Sequence, residues 1–266
     1  MLVNKKVLVV TGGGNGIGRS LVLNLLEKGA SVAAVDINEK NLKETEKLAG
    51  DKKKYLSLHV VDITNKVAVE ALPEKVISIH GAVDGIINNA GVIQPFININ
   101  DLGYDKVNFV MDVNFFGTLY MVKSFLSYLL KRPEAHIANV SSMGGFLPVP
   151  GQSIYGASKA AVKLMTEALY SELKDTNVGV TVIFPGGVGT DIMKNSGAEG
   201  TRVEKDDGKK QKAYKLLTPE KAAEIIVQGI QKKKFRVCAG KDAKMMDFLY
   251  RLMPKKATKI IADKLG

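Results

Sequence analysis

Short apolar runs rich in valine, isoleucine and alanine alternate along this chain with stretches in which apolar residues return every third or fourth position. The runs at 6–10, 31–35, 55–61, 85–88, 136–141, 179–184 and 236–239 predict strands, because β-branched side chains pack well on a pleated surface. The stretches at 16–28, 39–49, 66–80, 105–130 and 155–175 predict helices. Such alternation builds βαβ units, and near-continuous apolar strands such as VLVV and SVAAV suit a parallel sheet buried under helices on both faces. The expected fold class is therefore α/β. No repeat or linker divides the pattern, so residues 1–266 are expected to form a single domain.

After Thr190 the alternation lapses into the polar run NSGAEGTRVEKDDGKKQKAYK, which is too long for an ordinary connection. Loops of this length are usually lids or disordered segments, and 190–217 is expected to be a substrate lid. Thr218-Pro219-Glu220 then restarts a helix, with Thr218 as N-cap and Pro219 in its first turn. In the segment 241–266, Met245, Phe248, Leu249 and Leu252 repeat at helical spacing beside Lys241, Lys244, Arg251, Lys255 and Lys256. A basic amphipathic helix of this kind can lie on an anionic membrane surface. Its shortness and the break at Pro254 favour packing against the body or a second subunit instead.

Composition narrows the function classes. Hydrophobic residues make up 45% and charged residues 24%, values of an ordinary globular domain. The formal net charge of +11 raises the question of an anionic partner. The lysine runs at 52–54, 209–212 and 232–234, however, lack interleaved aromatics and belong to no nucleic-acid module, so no nucleic-acid partner is expected. Cys238 is the only cysteine, so folding needs no oxidising compartment. With neither a signal-peptide pattern nor a long apolar span, the expected location is cytoplasmic. His59, His80 and His136 lack ligand spacing, and no metal is expected.

Candidate chemistry begins directly after the first strand, at Thr11-Gly12-Gly13-Gly14-Asn15-Gly16-Ile17-Gly18. Missing side chains permit a tight turn and close approach of backbone to a pyrophosphate, and the helix starting at Gly16 offers free N–H groups and positive dipole. Asp36 closes the second strand, where a carboxylate can hydrogen-bond ribose hydroxyls and repel a 2′-phosphate. Neither Asn15 nor Ile37 supplies an offsetting positive charge, although Arg19 lies one position past the last glycine. NAD is favoured over NADP.

Tyr155 and Lys159 stand four apart at the start of a predicted helix and so share one face. A neighbouring ammonium stabilises phenolate, so Lys159 is expected to lower the pKa of Tyr155 and fit it for proton exchange with a substrate oxygen. Ser142 follows the strand HIANVS, at the sheet edge where open α/β folds bind ligands, and can hold that oxygen. Ser141 is the neighbouring alternative, with strand-end capping as its expected role.

Taken together, TGGGNGIG, NNAG at 88–91, Asn114, Ser142, YGASK and PGGVGT at 185–190 resemble the classical short-chain dehydrogenase/reductase family over about residues 5–191. The resemblance implies a doubly wound, Rossmann-type sheet and a catalytic tetrad of Asn114, Ser142, Tyr155 and Lys159. It further implies that Lys159 contacts the nicotinamide ribose and that Asn114 holds a water linking the lysine to solvent. By the same resemblance Gly12, Gly14, Asn15, Gly16, Ile17 and Gly18 cradle the cofactor, and Asn89, Ala90 and Gly91 support it. Asp62 and Ile63 flank its adenine, and Pro185, Gly186, Val188 and Thr190 belong to the loop at its carboxamide. A homotetramer or homodimer is implied, packed through the helices at 105–130 and 155–175.

The function expected is therefore NAD-dependent interconversion of a secondary alcohol and a ketone or aldehyde. The alternatives are an NADP-dependent carbonyl reductase and a non-catalytic nucleotide-binding scaffold. Gly144, Phe146, Leu147, Val149, Gln152, Ile93 and Met193 are expected to face the substrate, which suits an apolar carbonyl or alcohol. The stretch GQSIY lacks the last glycine and the preceding strand of a nucleophile elbow. The glycosylation pattern Asn139-Val-Ser141 falls at a strand end, which argues against its use.

Overall fold

Strands β1 (Val7–Thr11), β2 (Ser31–Asp36), β3 (Leu56–Val60), β4 (Gly85–Asn88), β5 (Ala135–Val140), β6 (Val178–Pro185) and β7 (Arg236–Ala239) form one sheet in the order β3-β2-β1-β4-β5-β6-β7. Every pairing is parallel. The computed structural model describes residues 1–198 and 216–265. Strand order runs outward both ways from β1 and β4, so their C-terminal ends diverge there and leave the crevice in which α/β folds hold ligands.

Period-two alternation divides the core between the two sheet faces. Leu8, Val10, Val32 and Ala34 meet helices α1 (Gly16–Glu27) and α9 (Pro219–Gln231) through Leu21, Leu25, Ile226 and Ile230. Val9, Val35 and Ile86 face the other side, against Leu72, Val76, Phe125 and Leu129. A one-residue slip of any strand would exchange these two sets, and so the burial of both faces pins the register. Helix starts are capped locally: Asn15, Asn38, Asn65 and Thr218 each accept a backbone N–H in the first turn of α1, α2 (Glu39–Leu48), α3 (Lys66–Glu70) and α9.

Two expected helices are each divided. The stretch 66–80 breaks at Ala71 into α3 and α4 (Leu72–His80), because Pro73 has no N–H to continue the ladder of the preceding turn. The stretch 105–130 becomes α5 (Tyr104–Met111) and α6 (Thr118–Leu129), joined by a π-helical turn over Asp112–Gly117. Such turns cluster at functional sites, and this one carries Asn114. Helix α7 (Ser153–Glu172) begins two residues before Tyr155.

Most of the expected lid, 199–215, lies outside the described residues; before it runs the short helix α8 (Ile192–Asn195), and Leu217 pairs with Val188 on its far side. Helices α10 (Lys241–Leu252) and α11 (Pro254–Leu265) close the chain. They enclose a small cluster of Leu147, Met246, Ala257 and Ile261. Among the described residues no helix is long and apolar enough to cross a membrane.

Candidate active site

The glycine loop between β1 and α1 shows why glycines stand where they do. Gly12 and Gly16 have φ of +68° and +51°, a region that side chains disfavour. A Cβ on Gly18 would lie 1.9 Å from the Gly12 carbonyl oxygen, and one on Gly12 would lie 2.9 Å from Asn89 Nδ2. The loop thus folds back on itself and against the segment after β4. Thr11 completes the joint: its Oγ1 accepts the N–H groups of Asn89 and Ala90, both at 3.0 Å.

This surface opens on a cleft of about 740 Å³ that runs from the end of β2 to the start of α7. At one end the Asp36 carboxylate accepts the N–H of Gly14 and of Asn38, each at 2.9 Å, which holds it at the cleft wall beside Ile37. Arg19 points elsewhere. Its guanidinium donates to the Gly14 carbonyl and to Thr45 and pairs with Glu44, and it does not line the cleft. Asp62 and Ile63 lie along the same wall, and Asn89, Ala90, Gly91, Pro185, Gly186, Val188 and Thr190 form the floor and far side.

At the other end Ser142, Tyr155 and Lys159 line the cleft together. Burial pushes the Tyr155 phenol above its ordinary pKa, and a hydrogen bond with the Ser142 hydroxyl offsets part of that rise. The expected lowering by Lys159 does not operate. The ammonium is turned to the Val140 carbonyl at 3.1 Å, and desolvation brings its own pKa down to about 8. Gly91 makes room for it: a Cβ there would sit 2.9 Å from Lys159 Nζ. Ser141 does not cap its strand as expected; it donates to the Lys159 carbonyl at 2.7 Å and so ties the end of β5 to α7.

Three expected site residues do not reach the cleft wall. Gly14 and Gly18 shape the loop from behind it, and Asn114 is fully buried. The Asn114 side chain accepts from Val92 N and donates to Val92 O and Ser158 Oγ, all at 2.9 Å, and the Asn114 backbone carbonyl accepts from the Thr118 hydroxyl. Its amide thereby clamps the segment after Gly91. The set expected to face substrate also divides. Ile93 lines the cleft, while Gly144, Phe146, Val149 and Gln152 line a separate groove against Tyr250 of α10. Leu147 is fully buried, because it fills the α10–α11 cluster, and Met193 lines neither space.

Sequence reasoning missed two braces. Gln94 is fully buried, and its Oε1 accepts the N–H groups of Ile154 and Tyr155 at 2.8 and 3.0 Å. It caps α7 from sixty positions upstream, where the N-cap residue Gln152 makes no side-chain cap bond. Asp242 of α10 accepts the Gly187 N–H at 2.7 Å and so holds the loop after β6. Neither has a local signature, because each partner lies far along the chain.

The residues present fit a dinucleotide: bare glycine backbone at a helix N-terminus lies where Cβ atoms would collide, and an acidic group stands at the end of β2. Fold and cleft together define a nicotinamide-linked oxidoreductase class. The family model described as short chain dehydrogenase matches residues 6–200. The chain belongs to that family, and it is an enzyme of the short-chain dehydrogenase/reductase type. It is 35% identical over 267 residues to the putative oxidoreductase SadH of Mycobacterium tuberculosis, across 97% of this chain and 94% of that protein. A short-chain dehydrogenase/reductase from Burkholderia phymatum in complex with NAD superposes with a TM-score of 0.82 at 25% identity, over 95% and 96% of the two chains. A short-chain dehydrogenase from Burkholderia cenocepacia in complex with NADP shares the fold, with a TM-score of 0.81 at 24% identity over 98% and 99%.

Proposed function

We propose that this enzyme interconverts an apolar secondary alcohol and the corresponding ketone or aldehyde, with NAD as its cofactor and Tyr155 as acid and base. The observation that carries the reading is that Ser142, Tyr155 and Lys159 stand together on the wall of the cleft whose opposite end holds Asp36. When bound, the nicotinamide supplies or takes up the hydride. In reduction, the Tyr155 phenol gives its proton to the carbonyl oxygen while Ser142 donates a hydrogen bond to the same atom. Burial keeps the phenol protonated at neutral pH, the form that reduction needs. Lys159, held by its bond to the Val140 carbonyl, lines the same end of the cleft. Asn114 holds Val92 and Ser158 in place around this group.

Asp36 supports NAD, because its carboxylate repels a 2′-phosphate and the nearest loop cation, Arg19, is spent on Gly14, Thr45 and Glu44. Ile93, Val188 and Ile192 around the catalytic end support an apolar substrate. Exposed Phe109, Phe116, Leu164 and Tyr170 on α5, the π turn and α7 support a homodimer or homotetramer through these helices. We assign the whole chain to one dinucleotide-binding domain acting in the cytoplasm, as a single cysteine allows.

The test is Tyr155→Phe. Turnover with NADH and an apolar ketone should fall by about 10²–10⁴-fold, while NADH binding, read by quenching of protein fluorescence, stays within a few-fold of wild type. An active phenylalanine variant would end the assignment.

A further inference from the structure

We propose that the outward face of α10 docks this protein onto a membrane surface bearing anionic phospholipids. Met245, Phe248 and Leu252 are 60%, 69% and 62% exposed. Residues three, four and seven apart share one side of a helix, so these three form a continuous apolar stripe. The helix is not free to turn it inward. On its inner side Ala243 and Met246 are buried, Asp247 pairs with Arg236 of β7, and Asp242 is bonded to Gly187.

The exposed charges of α10 are all basic, and Asp263 of α11 is the one exposed carboxylate on the two helices among the described residues. Lys241, Lys244 and Arg251 on α10 and Lys255, Lys256 and Lys259 on α11 are all exposed, whereas the two carboxylates of α10 are turned to Gly187 and to Arg236 and Arg251. An apolar stripe flanked by lysine and arginine is the pattern by which a helix lies in a bilayer interface, with aromatic and aliphatic side chains among the acyl chains and cations at the phosphates. A second copy of this chain suits the face poorly. A two-fold contact would set each cation against its own image, and the exposed aromatics of α5, the π turn and α7 already offer a separate self-contact.

The experiment is co-sedimentation of the full chain with phosphatidylcholine vesicles, with and without phosphatidylglycerol. Binding is expected to the anionic vesicles and to weaken strongly in high salt. Replacing both Lys241 and Lys244 by alanine should lower the partition coefficient by about 25-fold, at roughly fivefold for each charge near the surface. Phe248→Glu should abolish the preference for vesicles while leaving Tm unchanged, since the side chain is exposed. Equal binding by Phe248→Glu and wild type, or no binding of wild type to anionic vesicles, overturns the proposal. So does a fall in the solution mass of Phe248→Glu by light scattering, which would assign the face to a second copy.

Discussion

Lys159→Met should make the protein more stable while destroying its activity. The Lys159 ammonium is buried beside Tyr155, and desolvation moves its pKa from 10.5 to about 8. At about 1.36 kcal/mol for each pKa unit, keeping it charged at pH 7 costs the folded state about 3 kcal/mol. Methionine retains the length of the stem but carries no charge. It forfeits the charged bond from Nζ to the Val140 carbonyl at 3.1 Å, worth about 1.5–3 kcal/mol. A net gain of about 1 kcal/mol should raise Tm by roughly 2–4 °C for a chain of this size. The pH dependence has a definite sign. A base with a depressed folded pKa imposes its penalty below that value and sheds it as pH rises towards the unfolded pKa. Wild type should therefore gain on the variant between pH 8 and 10.5. Calorimetry of both proteins at pH 7 and near pH 10 measures the difference. A variant that melts at or below wild type at pH 7, or a gap that does not shrink at high pH, refutes the reasoning.

Asp36→Ser removes the carboxylate at the end of β2 and should shift the ratio of kcat/KM for NADH over NADPH by about 10–100-fold towards NADPH, as expected for losing one charged contact and one repulsion. Steady-state kinetics with both cofactors checks it. Gln94→Ala strips the cap from the N–H groups of Ile154 and Tyr155; a loss of about 1–3 kcal/mol in denaturant unfolding should accompany a fall in kcat larger than any change in KM for NADH. Gly18→Ala places a Cβ at 1.9 Å from the Gly12 oxygen, so the loop must open, and NADH binding by fluorescence titration should be lost even where the protein still folds.

The alternation of strands and helices was legible in the chain because it depends on periodicity, which each segment carries by itself. The glycine loop was legible for the same reason: its backbone demands are local, and Gly12 and Gly16 do adopt positive φ. The Tyr155–Lys159 spacing likewise placed both groups on one wall. What the sequence could not disclose depends on partners far along the chain. The π turn at Asn114 interrupts a stretch of unbroken helical periodicity, with Asn114 bonded to Val92 and Ser158. The cap on Tyr155 comes from Gln94, and the loop after β6 is braced by Asp242. The direction of the Tyr155 pKa shift was likewise set by tertiary structure, because burial, a property of the assembled fold, raises it. Periodicity and spacing determine which groups stand on which face; only packing determines how much water those groups lose and whom they touch.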